Sequence, residues 1–461
     1  MKFLISNSST KHLWVLLVHV ILGFVILYFP LIVAGWYYFI LLVAIFTAIS
    51  QRDSGYVILL IAYNLGIEII GRMLNVQPYI PWEMNKYLTP ILFVLIVIID
   101  NFKKSNMVLG LIVVLLSIPG WLFGNSATNR LVFSMMGIIN LGLMVALFYN
   151  RKISLSFLLG IFRAVVLPLV SILSYITIKT PSFSDIQFSL GANFSTTGGF
   201  GSNQMSTILG VGVLIMAMAV MIQKTLFYKP WIDMLLAGYF LFRGLLSFSR
   251  GGVLVAVLSF FVFFYFIRMS KILYKYRITI RKIDIRKVII ILIGFVFVFV
   301  IANNITHGVL LDRYKGETNK TLSGKGEKTL DSFTTGRWEI MVSDLEMWRD
   351  HIIWGVGGGN SAFLRPQYGV QQIVAHTEFS RLLADQGMFG LFILIIVTFF
   401  IPYNLLINRN SMERSILLSL YVLGFLTSFH AGMRTFVTPF FVGLSTVYIY
   451  PAMYFKKQGK I

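Results

Sequence analysis

The sequence predicts an all-α, polytopic membrane protein of about fourteen transmembrane helices, with twelve as the lower bound. Three observations predict it. The 461-residue chain is 57% hydrophobic and 12% charged, with a mean hydropathy of +0.81. Its apolar residues recur in runs of about 17–25, the length that crosses a bilayer as a helix. The first run is followed by many more, so it reads as a retained span and not as a cleaved signal peptide.

The runs lie near 13–29, 31–49, 55–70, 88–100, 106–122, 131–149, 154–178, 204–222, 230–247, 251–267, 288–305, 387–407, 415–430 and 435–455. Tight turns precede 31–49 and 251–267, which is where the total would fall towards twelve. Three regions follow: an N-terminal bundle at 1–305, a large loop at 306–386 and C-terminal helices at 387–461.

With both termini in the cytoplasm, inner segments hold 22 Lys and Arg residues, among them Lys103, Lys104, Arg151, Lys152, Arg409 and Arg414. Short outer loops hold 6: Arg72, Lys86, Arg130, Lys179, Arg250 and Arg434. The positive-inside rule therefore fixes this orientation. It also accounts for the net charge of +21. The basic run 268–287 faces anionic lipid headgroups, and nucleic acid is not the expected partner. With no cysteine, the chain has no disulfide, thiolate metal site or Cys nucleophile.

Two polar segments fall on the outer side, 179–203 and 306–386, together with the turn at Ser249–Gly252. No internal repeat marks the chain as a transporter. Within the large loop, 314–336 is rich in Gly, Lys and Thr and reads as irregular. Helical period returns from Arg337 to Trp354, with Trp338, Met341, Val342, Leu345, Trp348 and Ile352 on one face, so a cap lying on the membrane is expected. Thr334 or Thr335 is placed to cap its start and Gly355–Gly359 to end it.

The chemistry-bearing residues concentrate in these segments. His376 opens a short amphipathic helix, with Phe379, Leu382 and Leu383 on one face and Gly387 and Gly390 closing it. Ser249-Arg250-Gly251-Gly252-Val253-Leu254 forms an interfacial turn. Gly336-Arg337-Trp338 opens the loop helix, and Trp354-Gly355-Val356-Gly357 follows it. A weaker element is Gly199-Phe200-Gly201-Ser202-Asn203-Gln204. In order, spacing and sidedness these motifs resemble the O-antigen ligase and polymerase superfamily over roughly 195–400. Where that family usually has Asn, Ser or Gln after the histidine, this chain has Thr377.

The residues and the resemblance point to the same chemistry. A departing diphosphate needs fixed cations or a metal. Arginine carries a permanent charge and a forked set of donors for phosphate oxygens. Arg250 sits at interface depth, and Arg337 sits where a helix N-terminus adds to anion binding. His376 is suited to accept or orient an acceptor hydroxyl proton. The expected catalytic set is His376, Arg337 and Arg250. The expected substrate-binding set is Arg250, Arg337, Arg243, Arg163 and Arg434. Arg163 and Arg243 enter it because a cation inside a span pairs or lines a cavity. Arg381 is expected to face solvent or headgroups, and Tyr368, Gln371 and Gln372 are loop residues within reach of sugar.

What the resemblance implies is a metal-independent, inverting glycosyltransferase in the bacterial cytoplasmic (inner) membrane, with its active site facing the periplasm or exterior and no cofactor. Its donor would be an oligosaccharide on undecaprenyl diphosphate. Its acceptor would be a glycan (polymerase, the preferred reading) or a lipid A core (ligase). A polymerase would accommodate a chain-length regulator as partner, although no residue shows one. Two rivals remain. One is a lipid-linked sugar transporter without catalysis. The other is a metal-dependent or acid-catalysed transferase, with Glu68 as its acid beside Glu83 on an early outer loop. Asp344 and Glu346 form an Asp-Leu-Glu step, but i and i+2 on a helix point apart, so joint chelation is not expected.

Overall fold

Backbone that crosses hydrocarbon must satisfy its own hydrogen bonds, and the apolar runs accordingly fold as helices. A computed structural model describes residues 2–5, 8–100, 104–124, 128–191, 193–269, 285–323, 329, 334 and 336–450. Most of the basic run 268–287, residue Thr335 and the end of the last expected span lie outside the described residues.

The principal helices are α1 (Ser9–Tyr28), α2 (Ile32–Ser50), α3 (Ser54–Leu74), α4 (Met84–Ile99), α5 (Val108–Leu122), α6 (Thr128–Phe148), α7 (Leu155–Lys179) and α8 (Ser202–Met221). They continue as α9 (Pro230–Leu246), α10 (Arg250–Arg268), α11 (Ile285–Ile305), α12 (Val309–Tyr314), α13 (Arg337–Asp350), α14 (Glu378–Asn408), α15 (Ser411–Thr427) and α16 (Val437–Leu444). Each of the fourteen expected stretches overlaps one of these helices, the last of them only over Val437–Leu444. Among the described residues, eight are long and apolar enough to cross a membrane: α1, α2, α3, α6, α7, α8, α10 and α14. Two short strands, β1 (Lys152–Ser154) and β2 (Tyr448–Tyr450), pair in parallel.

Helices α7 and α8 form the centre: each keeps 89% of an 18-residue stretch buried, against 28% for α1. α8 packs on α9 and α10, and α10 packs on α15. These contacts need small residues, because lipid supplies no hydrophobic drive and close backbone approach must hold helices together. At Gly252 a Cβ would lie 2.2 Å from the Ser206 carbonyl carbon, and at Gly210 it would lie 2.5 Å from the Gly252 oxygen.

Gly387 closes the histidine helix as expected, at φ 57° and ψ −132°, and a second helical stretch starts at once, carries Gly390 within it and continues through a π turn at Ile396–Phe400. The bend exists because the Gly355–Gly359 turn docks there. The Val356 and Gly357 amides donate to the Ala384 and Asp385 carbonyls, at 2.8 and 2.9 Å, and the Met388 amide donates to the Ile353 carbonyl. A Cβ on Gly387 would stand 2.5 Å from the Ile353-side wall, at the Ile352 oxygen. Gly387→Ala is therefore expected to cost at least about 1–3 kcal/mol from backbone strain alone. Thermal unfolding in detergent checks it, with Gly294→Ala, which meets nothing within 4 Å, as the neutral comparison.

The loop helix α13 buries Ile340, Ser343, Asp344 and Met347 and leaves Trp338, Val342 and Leu345 of the apolar stripe exposed. Thr334 does cap it, accepting from the Trp338 amide at 3.2 Å.

Candidate functional site

The site forms where the ends of α3, α8, α10 and α15 meet the loop 306–386. Ser249 precedes α10 and donates its hydroxyl to the Asn203 side chain at 2.7 Å. Ser206 donates to the Ser249 carbonyl at 2.8 Å. The weak 199–204 motif thus abuts the Ser-Arg-Gly turn. On its other side, a Cβ on Gly251 would lie 2.5 Å from the His430 ring, so glycine there admits that imidazole. His430 Nε2 lies 2.9 Å from the Thr207 hydroxyl.

Arg250, the first residue of α10, donates to the Arg313 carbonyl at 3.0 Å. Arg313, on α12, reaches back to the Phe248 carbonyl at 3.4 Å. The two guanidiniums and Arg337 crowd one another. Burial first, then Arg250 and Arg337, pushes Arg313 down to about 10, and burial and Arg250 lower Arg337. Among the described residues, neither Arg313 nor Arg337 has a carboxylate partner. Arginines whose charges oppose one another in this way suit an anion.

His376 faces the same cluster. Its Nδ1 is buried without a hydrogen-bond partner among the described residues. Burial first, then the charges of Arg434, Arg337 and His430, push its pKa down to about 3. The ring is therefore neutral at physiological pH and able to accept a proton. Arg434 fixes the segment ahead of it, donating to the Val374 and Ala375 carbonyls at 2.7 and 2.9 Å. Arg434 is itself held by Arg72, which donates to its carbonyl.

The helix after His376 is anchored by buried charge. Arg381 pairs with Glu378 and, at 3.4 Å, with Asp385. It is 8% exposed, so the expectation that it faces solvent or headgroups is corrected. Glu378 accepts from the Met433 amide at 2.9 Å, and Asp385 accepts from the Gly359 and Ser361 amides at 3.1 and 3.2 Å. Asp344 of α13 pairs with the fully buried Arg365 and accepts from Ser380 at 2.7 Å, while Thr377 lies 2.9 Å from Ser380. Burial raises Asp344 to about 6, opposed by Arg365 and Ser380. Asp344 is thus committed to joining α13 to α14. Removing Arg365 would leave that carboxylate buried and unpaired. Arg365→Ala is expected to destabilise the protein by about 3–5 kcal/mol, read as a lowered melting temperature in detergent.

The structure brings Arg250, Arg337, His376 and Arg434 together and adds Arg313, His430 and Arg72. It does not bring Arg163 or Arg243 to them. Arg163 donates to the carbonyls of Leu4, Thr225 and Leu226, near the other end of α7. Arg243 donates to Ile176, Thr180 and Thr196, bracing the 179–203 segment. Both are buried cations spent mainly on backbone carbonyls, with the Thr180 hydroxyl a further acceptor for Arg243. Glu68 is also not a loop acid. It lies inside α3, 1% exposed, accepting from the Phe436 amide at 2.7 Å and 3.7 Å from Arg72. Glu83 pairs with Lys86 at 2.9 Å. Tyr368 donates to Asp350 at 3.0 Å, and Gln371 and Gln372 are exposed.

Residues 234–395 match the family model described as O-antigen ligase. That match supports an assignment to the O-antigen ligase and polymerase superfamily. The match starts within α9 and ends within α14, so it contains Arg250, Arg313, Arg337 and His376. The residues that hold them from outside it are Arg72, His430 and Arg434. No curated protein matches the chain. Members of this superfamily are membrane glycosyltransferase-type ligases and polymerases, which implies a lipid-linked glycan and an acceptor as partners.

Proposed function

We propose that this protein is a metal-independent, inverting glycosyltransferase. It moves an oligosaccharide from undecaprenyl diphosphate to a glycan hydroxyl on the outer face of the bacterial cytoplasmic membrane, as a surface-polysaccharide polymerase. The observation that carries the reading is the neutral His376 set against Arg250, Arg313, Arg337 and Arg434 at one end of the bundle. The acceptor hydroxyl oxygen bonds to the anomeric carbon as that carbon's bond to the diphosphate oxygen breaks. The hydroxyl proton passes to the His376 imidazole, and the bonding electron pair leaves with the diphosphate. Arginine forks take up the charge that develops on the leaving phosphate.

Burial of the cationic groups favours this reading over transport. A transporter would set its functional charges near the bilayer midplane on repeated elements, whereas the arginines away from the cluster, Arg163 and Arg243, are already bonded to carbonyls. The test is transfer by purified, reconstituted protein supplied with a lipid-linked oligosaccharide under chelation. A ladder on the lipid carrier identifies a polymerase, and a single transfer to a separate acceptor identifies a ligase. No transfer, with movement of the lipid-linked sugar across the bilayer, would instead support the transporter.

A further inference from the structure

A cavity of about 620 Å³ is lined in part by Val374 and Ala375 of the segment that precedes His376. It lies within the ~300–1,000 Å³ range of small-molecule sites. Val374 and Ala375 are the two residues whose carbonyls Arg434 holds. The cavity's chemistry differs from the arginine cluster's. Trp82 and Phe133 line it with near-parallel rings, 6.4 Å between centroids and 14° between planes. Phe363 lines it with Arg130 4.1 Å over its ring. Arg72 stands 4.3 Å over the Trp82 ring; Trp82 is 37% and Phe363 44% exposed, so each keeps part of its surface open to the cavity. The side-chain amides of Asn129 and Gln372 line it and make no hydrogen bond among the described residues. Its acidic residue, Glu83, and its inner cation, Arg381, are already paired.

Aromatic faces beside unengaged amides are the chemistry that recognises a pyranose: the rings cover its C–H face and the amides bond its hydroxyls. The neighbouring arginines Arg250, Arg313 and Arg337 suit a diphosphate instead. We infer that this cavity is the acceptor subsite. It takes an uncharged oligosaccharide and delivers its hydroxyl past Ala375 to His376, with Trp82, Phe363 and Gln372 as the recognising residues. The inference rests on the glycosyl-transfer reading above and assigns that reading's second substrate to a place.

The probe is the repeat-unit oligosaccharide released by mild acid from the cell's own surface polysaccharide. It is titrated calorimetrically into full-length protein in detergent. Wild type is expected to bind it, Trp82→Ala and Phe363→Ala to weaken it at least tenfold, and Arg313→Ala to bind it as wild type does. Gln372→Ala, at an exposed position, replaces Trp82→Ala if that variant does not fold, and is expected to weaken binding in the same direction. Loss of binding in Arg313→Ala with none in Phe363→Ala puts the glycan in the cationic cluster and overturns the inference. Absence of wild-type binding at millimolar oligosaccharide also overturns it. Binding as expected in a protein that transfers nothing removes the catalytic reading and leaves a glycan-binding cleft; transfer without binding removes the cleft alone.

Discussion

His376→Ala is expected to lower the turnover of glycosyl transfer by about 10²–10⁴-fold, the usual contribution of a positioned proton acceptor. The side chain is half-buried and its Nδ1 has no hydrogen-bond partner among the described residues, so truncation breaks no described bond and folding should survive. The pH dependence carries the sign of the electrostatics. With its pKa pushed down to about 3, the free-enzyme histidine stays neutral from pH 8 to pH 5. kcat/KM, which reports the free enzyme, should show no acid fall assignable to it in that window. A bound diphosphate offsets the cations that depress the ring, so its pKa in the complex rises. kcat should consequently fall on acidification at a higher pH than kcat/KM does. Coincident acid limbs in the two profiles would argue against a histidine flanked by an anion site.

Arg337→Ala is expected to lower kcat by about 10²–10³-fold, comparable to deleting one donor that stabilises developing negative charge. Its effect on stability should be opposite in kind to that of Arg365→Ala. Arg365 neutralises a buried aspartate, whereas Arg337 repels Arg250 and Arg313 and pairs with no carboxylate among the described residues. The melting temperature of Arg337→Ala in detergent should therefore hold or rise while activity collapses. Arg337→Lys should restore the charge and only part of the rate, because an ammonium lacks the planar fork. A fall in melting temperature matching the fall in rate would make Arg337 a structural residue.

Much of this arrangement is legible in the sequence because it is local. The apolar runs report helices directly. The Ser-Arg-Gly turn, the Gly-Arg helix start and the His-to-Gly spacing carry three of the cluster's residues within short motifs. What stays hidden is decided across the chain. Arg250 meets Arg313 after 63 residues, Thr207 meets His430 after 223, and Arg72 meets Arg434 after 362. No periodicity encodes such pairs. The inward face of α13 is hidden for a related reason: its apolar stripe is legible, but the Asp344–Arg365–Ser380 network that draws a charged face inward, where pairing offsets desolvation, is spread along the chain. Arg163 and Arg243 are recognisable as costly buried cations. Their partners are backbone carbonyls, which sequence patterns do not display.

The most direct test of the central claim compares wild type with His376→Ala in proteoliposomes under excess chelator, following release of polyprenyl diphosphate from a lipid-linked oligosaccharide with acceptor present. Release is expected at the wild-type rate despite chelation, and reduced at least about 10²-fold in a folded His376→Ala protein. Full release by the variant, or none by chelated wild type that returns on adding a divalent cation, would contradict it.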